Sequence, residues 1–305
     1  MAKFDVVSFG SGVVDVFVSS DVAEKKGRLD LEVGSKYLIE GLRFDVGGGG
    51  TNVAVAFARF GLKTGCVCGV GEDANGIEIL TCLKSEKVRF LGKVDERVGT
   101  GYSMIVDSNK KNRTILTFKG ASNEVGIDDV KRFKSGWLYY SSLLGKSFAA
   151  QKKLARKFVG GGGKLAFNPS SYSIESQNIR ELLKLSYVLI LNKEEGVALA
   201  KKYKGKGKNV LEKLWSLGPG VVVVTDKDKA VKCFDGAREY KVVPDKGKKV
   251  VERTGAGDAF AAGFVGGMIS GLDIENCLKL GVKEGEAVLG YFGAKNNLLK
   301  RRLKR

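Results

Sequence analysis

The sequence predicts an α/β protein with a doubly wound, mostly parallel sheet sandwiched by helices and a small β lid set apart from it. Three observations predict it. Short runs rich in valine and isoleucine alternate with stretches of helical periodicity along the whole chain. These runs are continuously apolar, as strands covered on both faces must be. Two segments interrupt the alternation with strand-like pieces and no helix.

In chain order, strands are expected at Phe4–Phe9, Gly65–Val70, Trp137–Ser141, Lys164–Asn168, Tyr187–Leu191 and Gly220–Thr225. Between them the 3.6-residue apolar rhythm predicts helices over Thr51–Phe60, Asn75–Lys84, Ser147–Val159, Ile174–Leu185, Lys193–Tyr203 and Asn209–Leu217. Ala259–Leu272 holds 14 residues without a charge. That suits a buried core helix and is too short to span a bilayer, so no membrane partner is expected. The interruptions are residues 13–46 and 100–119. The second reads as a hairpin, GYSMIVD-SNKKN-RTILTF. Both are assigned to the lid. With no repeat or low-complexity linker, residues 1–305 are read as a single domain.

Composition narrows the chemistry. The chain has 305 residues and no histidine, which removes Ser-His-Asp and Cys-His nucleophiles, Cys/His zinc sites and histidine bases together. Carboxylates, lysines, hydroxyls, thiols and backbone amides remain. The five cysteines are odd in number and form no CxxC pair, which reads as reduced core thiols in a cytoplasmic protein. The amino terminus runs straight into a strand, with no signal peptide expected. The formal net charge is +18, with clusters at Lys201–Lys208, Lys241–Lys249 and Lys300–Arg305. None is interleaved with aromatic residues as a base-stacking surface requires. The charge is read as solvated faces that also attract anionic substrates, and nucleic acid is not the expected partner.

Glycine-rich turns are the remaining candidates for phosphate binding. Gly10-Ser11-Gly12 follows the first strand, but Asp15 stands where a dinucleotide fingerprint needs a small residue. Gly69–Ala74 fits GxGxxA only with Glu72 and Asp73 at its variable positions. Gly145-Lys146-Ser147 lacks the first glycine of a P-loop, since residue 140 is Tyr140. Gly160–Gly163 reads as a helix stop. Thr254-Gly255-Ala256-Gly257-Asp258 is different. Small residues before a helix leave successive N–H groups bare at the positive end of its dipole, which makes an anion hole. Asp258 in the first turn is placed to accept a proton from an attacking hydroxyl; the alternative is a plain N-terminal acid with glycines for close packing. Gly47–Asn52 repeats the glycine-run-to-helix pattern, with Asp15 near the same sheet edge. Asn192 and Glu195, three apart after a strand, can cap their helix or approach a hydrated Mg²⁺.

These motifs occur in one order: GG…N near residue 50, NxxE after a mid-chain strand, TGAGD in the last fifth. Together with Gly71-Glu72-Asp73 and RTILTFKGASN, they make the chain resemble the ribokinase-like (PfkB) family of carbohydrate and nucleoside kinases over residues 4–295. The resemblance implies Asp258 as catalytic base and Gly255, Ala256 and Gly257 as the anion hole for the transferring phosphoryl group. It implies Asp15, Gly47, Gly48 and Asn52 as contacts to the acceptor, and Asn192, Thr225 and Lys227 as positions on the nucleotide side. Glu195, with Asn192, would serve Mg²⁺ through water. ATP and Mg²⁺ are the implied cofactors. The family's acid at position 252 helps hold a monovalent cation; here it is Glu252 in place of the usual Asp. The usual TxGxxG has become Thr225-Asp226-Lys227-Asp228-Lys229-Ala230. Val13 and Gly49 replace the Asn and Lys of ribokinases proper, which disfavours ribose relative to a hexose, ketose or nucleoside. The lid would close over substrate and make a homodimer. A nucleoside kinase is the alternative, with Phe17, Tyr37, Phe44 and Tyr102 as candidates to stack a base; a catalytically silent binding protein is another.

Overall fold

The computed structural model describes residues 1–110, 112–245, 247, 250–300 and 303. The basic clusters Lys241–Lys249 and Lys300–Arg305 therefore lie partly outside the described residues.

The chain opens with β1 (Ala2–Phe9), β2 (Val13–Ser19), β3 (Glu24–Lys25), β4 (Arg28–Leu29), β5 (Gly41–Gly47) and α1 (Gly49–Arg59). Then come β6 (Thr64–Val67), β7 (Gly69–Gly71), α2 (Ala74–Ser85), β8 (Arg89–Phe90), β9 (Lys93–Asp95), β10 (Gly101–Asp107) and β11 (Arg113–Phe118). The middle holds β12 (Phe133–Ser141), α3 (Gly145–Gly160), β13 (Lys164–Asn168), α4 (Ser171–Ser176), α5 (Arg180–Leu185), β14 (Val188–Asn192) and α6 (Lys193–Lys202). The last part is α7 (Val210–Trp215), β15 (Val221–Thr225), β16 (Val231–Phe234), β17 (Glu239–Val242), α8 (Ala256–Ile269) and α9 (Ile274–Leu289).

Nine strands form the main sheet in the order β17-β16-β15-β14-β13-β12-β1-β6-β8. From β8 to β15 every pairing is parallel, and β16 and β17 add an antiparallel edge. Alternation along the strands feeds two cores. Val6, Val188, Ile190 and Val223 pack with α1, α8 and α9, whereas Val7, Leu189, Leu191 and Val222 pack with α3, α5 and α7. Burial on both faces explains why these strands read as unbroken apolar runs.

The two interrupting segments form a separate four-stranded sheet, β11-β10-β2-β5. Register places Asp15 opposite Asp45 on β5 and Ser103 on β10. Asp15, Phe17, Ser103 and Ile105 share one face, while Phe44, Val16, Met104 and Leu116 share the other.

Three local expectations differ. The strand expected over Gly65–Val70 divides at Cys68, because β7 leaves the main sheet to pair with β9. The helix expected over Ile174–Leu185 breaks into α4 and α5. Gln177 is extended, the Asn178 side chain takes the Arg180 N–H, and Tyr203 Oη accepts the Ile179 N–H at 2.9 Å. A short polar side chain competing for backbone donors interrupts the ladder without proline. The helix α9 carried no assignment from the sequence. Elsewhere, Asp73 in the rejected GxGxxA run is the N-cap of α2, accepting from Gly76 N at 2.8 Å.

Candidate active site

The parallel strands carry their C-terminal ends to one edge, where β12 ends in Ser141, β13 in Asn168, β14 in Asn192 and β15 in Thr225. Ligands collect at this edge in doubly wound sheets. The amino end of α1 arrives by close approach: a side chain at Gly50 would collide with the backbone of Gly10, and one at Gly10 with Ser141.

Asp15, Gly47, Gly48, Asn52 and Asp258 lie within one cluster. A Cβ on Gly47 would overlap the Asp15 carboxylate, so glycine is required there for the acid to lie across it. Gly48 has φ +96°, and a Cβ there would strike the Ser11 carbonyl. Burial is the largest influence on Asp15 and pushes its carboxyl up to about 6, against the pull of Lys295 and a hydrogen bond from Ser103. Asn52 is 5% exposed. Its Nδ2 donates to Asp258 Oδ2 at 2.8 Å, and its Oδ1 accepts from Lys295 Nζ at 2.6 Å. Thr51 Oγ1 donates to Gly47 O at 2.6 Å and steadies the turn.

Asp258 stands in the first turn of α8, and Gly255 is the N-cap with φ +83°. A Cβ on Gly255 would collide with Ala294, whereas one on Gly257 would meet nothing within 4 Å. The glycines thus differ in purpose: Gly255 permits the turn and Gly257 leaves the helix end open on its outer side. Burial raises the Asp258 carboxyl, opposed by the Asn52 hydrogen bond and by the charges of Lys295 and Lys119. Glu252 organises the approach to this turn. Its Oε1 accepts the N–H groups of Arg253 and Thr254 at 2.7 Å each, and the Thr254 hydroxyl at 2.8 Å. It also pairs with Arg113, which reaches over from β11 and donates to Thr254 Oγ1 at 3.0 Å.

Asn192, Glu195, Thr225 and Lys227 form a second group along the same edge, with Asn192 opposite Thr225 in register. Asn192 and Glu195 make a reciprocal capping box on α6, Oδ1 accepting from Glu195 N at 2.8 Å and Oε2 from Asn192 N at 3.0 Å. Burial nevertheless pushes the Glu195 carboxyl above its ordinary range, a charge that a nearby cation would relieve. Among the described residues no group of three His, Cys, Asp or Glu side chains has metal-holding geometry, so an Mg²⁺ ion here fits as one held mainly by phosphate and water. Lys227 sits where the usual TxGxxG has glycine. Its φ of +52° keeps the left-handed shape that glycine would favour. Its ammonium is 3.3 Å from Glu194, and Lys193 is 2.9 Å from Asp226.

Sequence reasoning missed Lys295, Arg113 and Ser141 as members of the site. Lys295 lies beyond α9 in a chain with 52 lysines and arginines, so nothing in the string singles it out. Among the described residues Ser141 Oγ is buried without a hydrogen-bond partner, and a Cβ on Gly49 would stand 2.9 Å from it and 3.4 Å from Asp258 Oδ1. An orphaned hydroxyl and a carboxylate oxygen facing one glycine suit a polar ligand atom there. Of the aromatic residues expected to stack a base, only Phe17 is on the Asp15 face, in edge contact with Phe292 at 6.2 Å between ring centres. Phe44 and Tyr102 belong to the opposite face, and Tyr37 Oη accepts from Glu32 N in the β4–β5 connection.

Comparison with known proteins agrees with this geometry. The family described as pfkB family carbohydrate kinase matches residues 5–301. An "uncharacterized sugar kinase" of Archaeoglobus fulgidus is 28% identical over 258 residues, covering 80% of this chain and 98% of that protein. A cytidine kinase of Thermococcus kodakarensis is 35% identical over 146 residues, covering 47% of this chain and 52% of that protein. Among solved structures, an adenosine kinase from Sinorhizobium meliloti superposes with a TM-score of 0.81 at 23% identity, covering 98% of each chain. No helix of the described residues is long and apolar enough to cross a membrane. With a glycine-led turn opening α8, a carboxylate in its first turn and the match over nearly its whole length, the chain belongs to the pfkB family and is an ATP-dependent carbohydrate kinase.

Proposed function

We propose that the chain transfers the γ-phosphoryl group of ATP to a hydroxymethyl group of a sugar, with a hexose or ketose favoured over ribose. The observation that carries the mechanism is the placement of Asp258: a fixed carboxylate in the first turn of α8, beside the open side of Gly257. As the acceptor oxygen forms its bond to phosphorus, its proton passes to Asp258 and the bond to the leaving ADP oxygen breaks. Gly255, Ala256 and Gly257 present N–H groups to the charge on the transferring group. Asp15, Gly47, Gly48 and Asn52 orient the acceptor's hydroxyls. Asn192, Thr225 and Lys227 serve the nucleotide side, and Glu195 with Asn192 faces Mg²⁺ through water. When bound, Mg²⁺ supplies neutralisation of phosphate charge.

The four-stranded sheet acts as a lid whose Asp15 face closes on the acceptor. Its opposite face exposes Leu42, Phe44, Met104, Leu116 and Phe118, an apolar surface that supports a homodimer formed through the lid. The single domain is read as cytoplasmic. A nucleoside acceptor is the second reading, favoured by Phe17 and Phe292 beside Asp15.

The test is ATP consumption against hexoses, ketoses, pentoses, their monophosphates and nucleosides, with Asp258→Asn alongside. Turnover stimulated by a ketose or hexose and lost in the variant supports the proposal. Stimulation by nucleosides alone favours the second reading. Failure of every acceptor, with GTP and ADP also tried as donors, overturns the proposed acceptor class.

A further inference from the structure

We infer that Lys295 is a positioning residue of phosphoryl transfer, holding the Asn52 amide so that Asp258 presents a single, oriented oxygen to the acceptor. The inference rests on the reading of Asp258 as base. The residue follows Ala294 in the segment after α9, far in sequence from α1, yet its side chain is 5% exposed. A buried ammonium is costly unless its three donors are used and its charge is balanced. Here two of the three donors reach Val46 O and Asn52 Oδ1.

The consequence for Asn52 is orientational. A side-chain amide can turn over and exchange its oxygen for its nitrogen. With a cation on Oδ1, turning would set the NH₂ group against an ammonium and the carbonyl against a carboxylate. Lys295 therefore fixes Nδ2 toward Asp258 Oδ2, at 2.8 Å. The other carboxylate oxygen, Oδ1, is the one that faces Gly49 and the unpartnered Ser141 hydroxyl. One oxygen is held and the other looks toward the place of reaction.

The charges around this ammonium come from several elements. Burial is the largest influence on Lys295 and holds its ammonium below the ordinary lysine range, while Cys82 on α2, Asp45 on β5, Asp15 on β2 and Asp258 on α8 oppose it and favour the charged form. Cys66 and Cys68, and Glu86 beyond α2, feel its field in turn. Asp258 also faces Lys119 from the end of the hairpin. Removing Lys295 thus leaves Asp258 with a weaker positive environment and an Asn52 free to turn.

The experiment compares Lys295→Met and Lys295→Gln with the intact chain, using whichever acceptor supports turnover, and runs Asp258→Asn beside them. Melting temperature is recorded for each. The expected result for K295M is a loss of about 100-fold in kcat, as for a displaced reacting group. KM for the acceptor changes much less, and the acidic limb of the kcat profile moves to higher pH. K295Q, which can still donate to Asn52 Oδ1, recovers part of kcat while its pH limb stays displaced. A folded K295M with unchanged kcat and an unmoved limb overturns the inference, even where D258N is inactive. An active D258N instead removes the reading of Asp258 as base. Should neither Lys295 variant fold, ¹⁵N NMR of the lysine Nζ in the unaltered protein decides. A protonated, slowly exchanging Lys295 ammonium between pH 7 and 8 supports the relay, and a neutral amine there overturns it.

Discussion

The Asn52 side chain donates to Asp258 across 206 positions of sequence. That bond joins the first turns of α1 and α8, the two glycine-led helix starts of the site. It also fixes one oxygen of the carboxylate and leaves the other for the proton transfer proposed above.

Asp258→Asn should be inactive and yet more heat-stable at neutral pH. Burial raises the carboxyl of Asp258 above its unfolded range. A group shifted in that direction costs stability once pH exceeds its unfolded value, and the full cost is present above the folded one. An uncharged amide removes that cost. Turnover should fall by about 10²–10⁴-fold, with a higher melting temperature at pH 7.5 that narrows toward pH 4. A melting temperature below that of the intact chain at pH 7.5 would contradict the assignment of a desolvated acid.

Acceptor use should weaken below about pH 6. Asp15 is pushed up to about 6 by burial, so it loses its charge there and ceases to be a two-oxygen acceptor for hydroxyls. The acidic limb of kcat/KM for the acceptor is the measurement. Asp15→Asn should flatten that limb and raise the acceptor KM without affecting the KM for ATP. A limb that survives the substitution assigns it to another group.

Lys227→Gly should raise the melting temperature. The left-handed backbone at Lys227 costs a side-chain-bearing residue about 1–2 kcal/mol, whereas its exposed pair with Glu194 contributes at most about 1 kcal/mol. Calorimetry should show a gain of about 2 °C. Lys227→Ala, which keeps the strain and loses the pair, should show none.

Gly255→Ala and Gly257→Ala should separate folding from activity. At Gly255 the added methyl meets Ala294 and a φ of +83°, so this variant should lose stability. At Gly257 the methyl enters open space at the helix end. That variant should fold normally, since alanine favours helix, and lose phosphoryl transfer by obstruction. Paired melting curves and ATP turnover distinguish the two.

Much of this architecture was legible in the string because its signals are local. The apolar strands and the TGAGD turn each announce themselves within a few residues. The capping box at Asn192 and Glu195 was also readable, since both partners lie in one turn. Lys295 was hidden for the opposite reason: its meaning depends on Val46 and Asn52, more than two hundred positions away, and a lysine after a helix is ordinarily a solvated one. Arg113 was hidden likewise, being one basic residue in a hairpin of several. The break at Gln177 escaped because only hydrogen bonds accepted by Asn178 from Arg180 and by the distant Tyr203 from Ile179 mark it. The register of the outer sheet, which sets Phe17 but not Phe44 beside Asp15, is fixed by pairing between distant strands.

The Arg113–Glu252 pair has a mechanical consequence. Glu252 is 6% exposed and fastens the loop that enters the phosphate turn, while Arg113 rides on the outermost strand of the other sheet. Swinging that strand outward would strand a buried carboxylate without its counter-charge, an expensive state. The pair therefore couples the position of β11 to that of the loop before α8. If the outer sheet is the lid proposed above, any excursion that admits a sugar would also loosen the loop that enters α8, and that loop would tighten again only as the sheet returns.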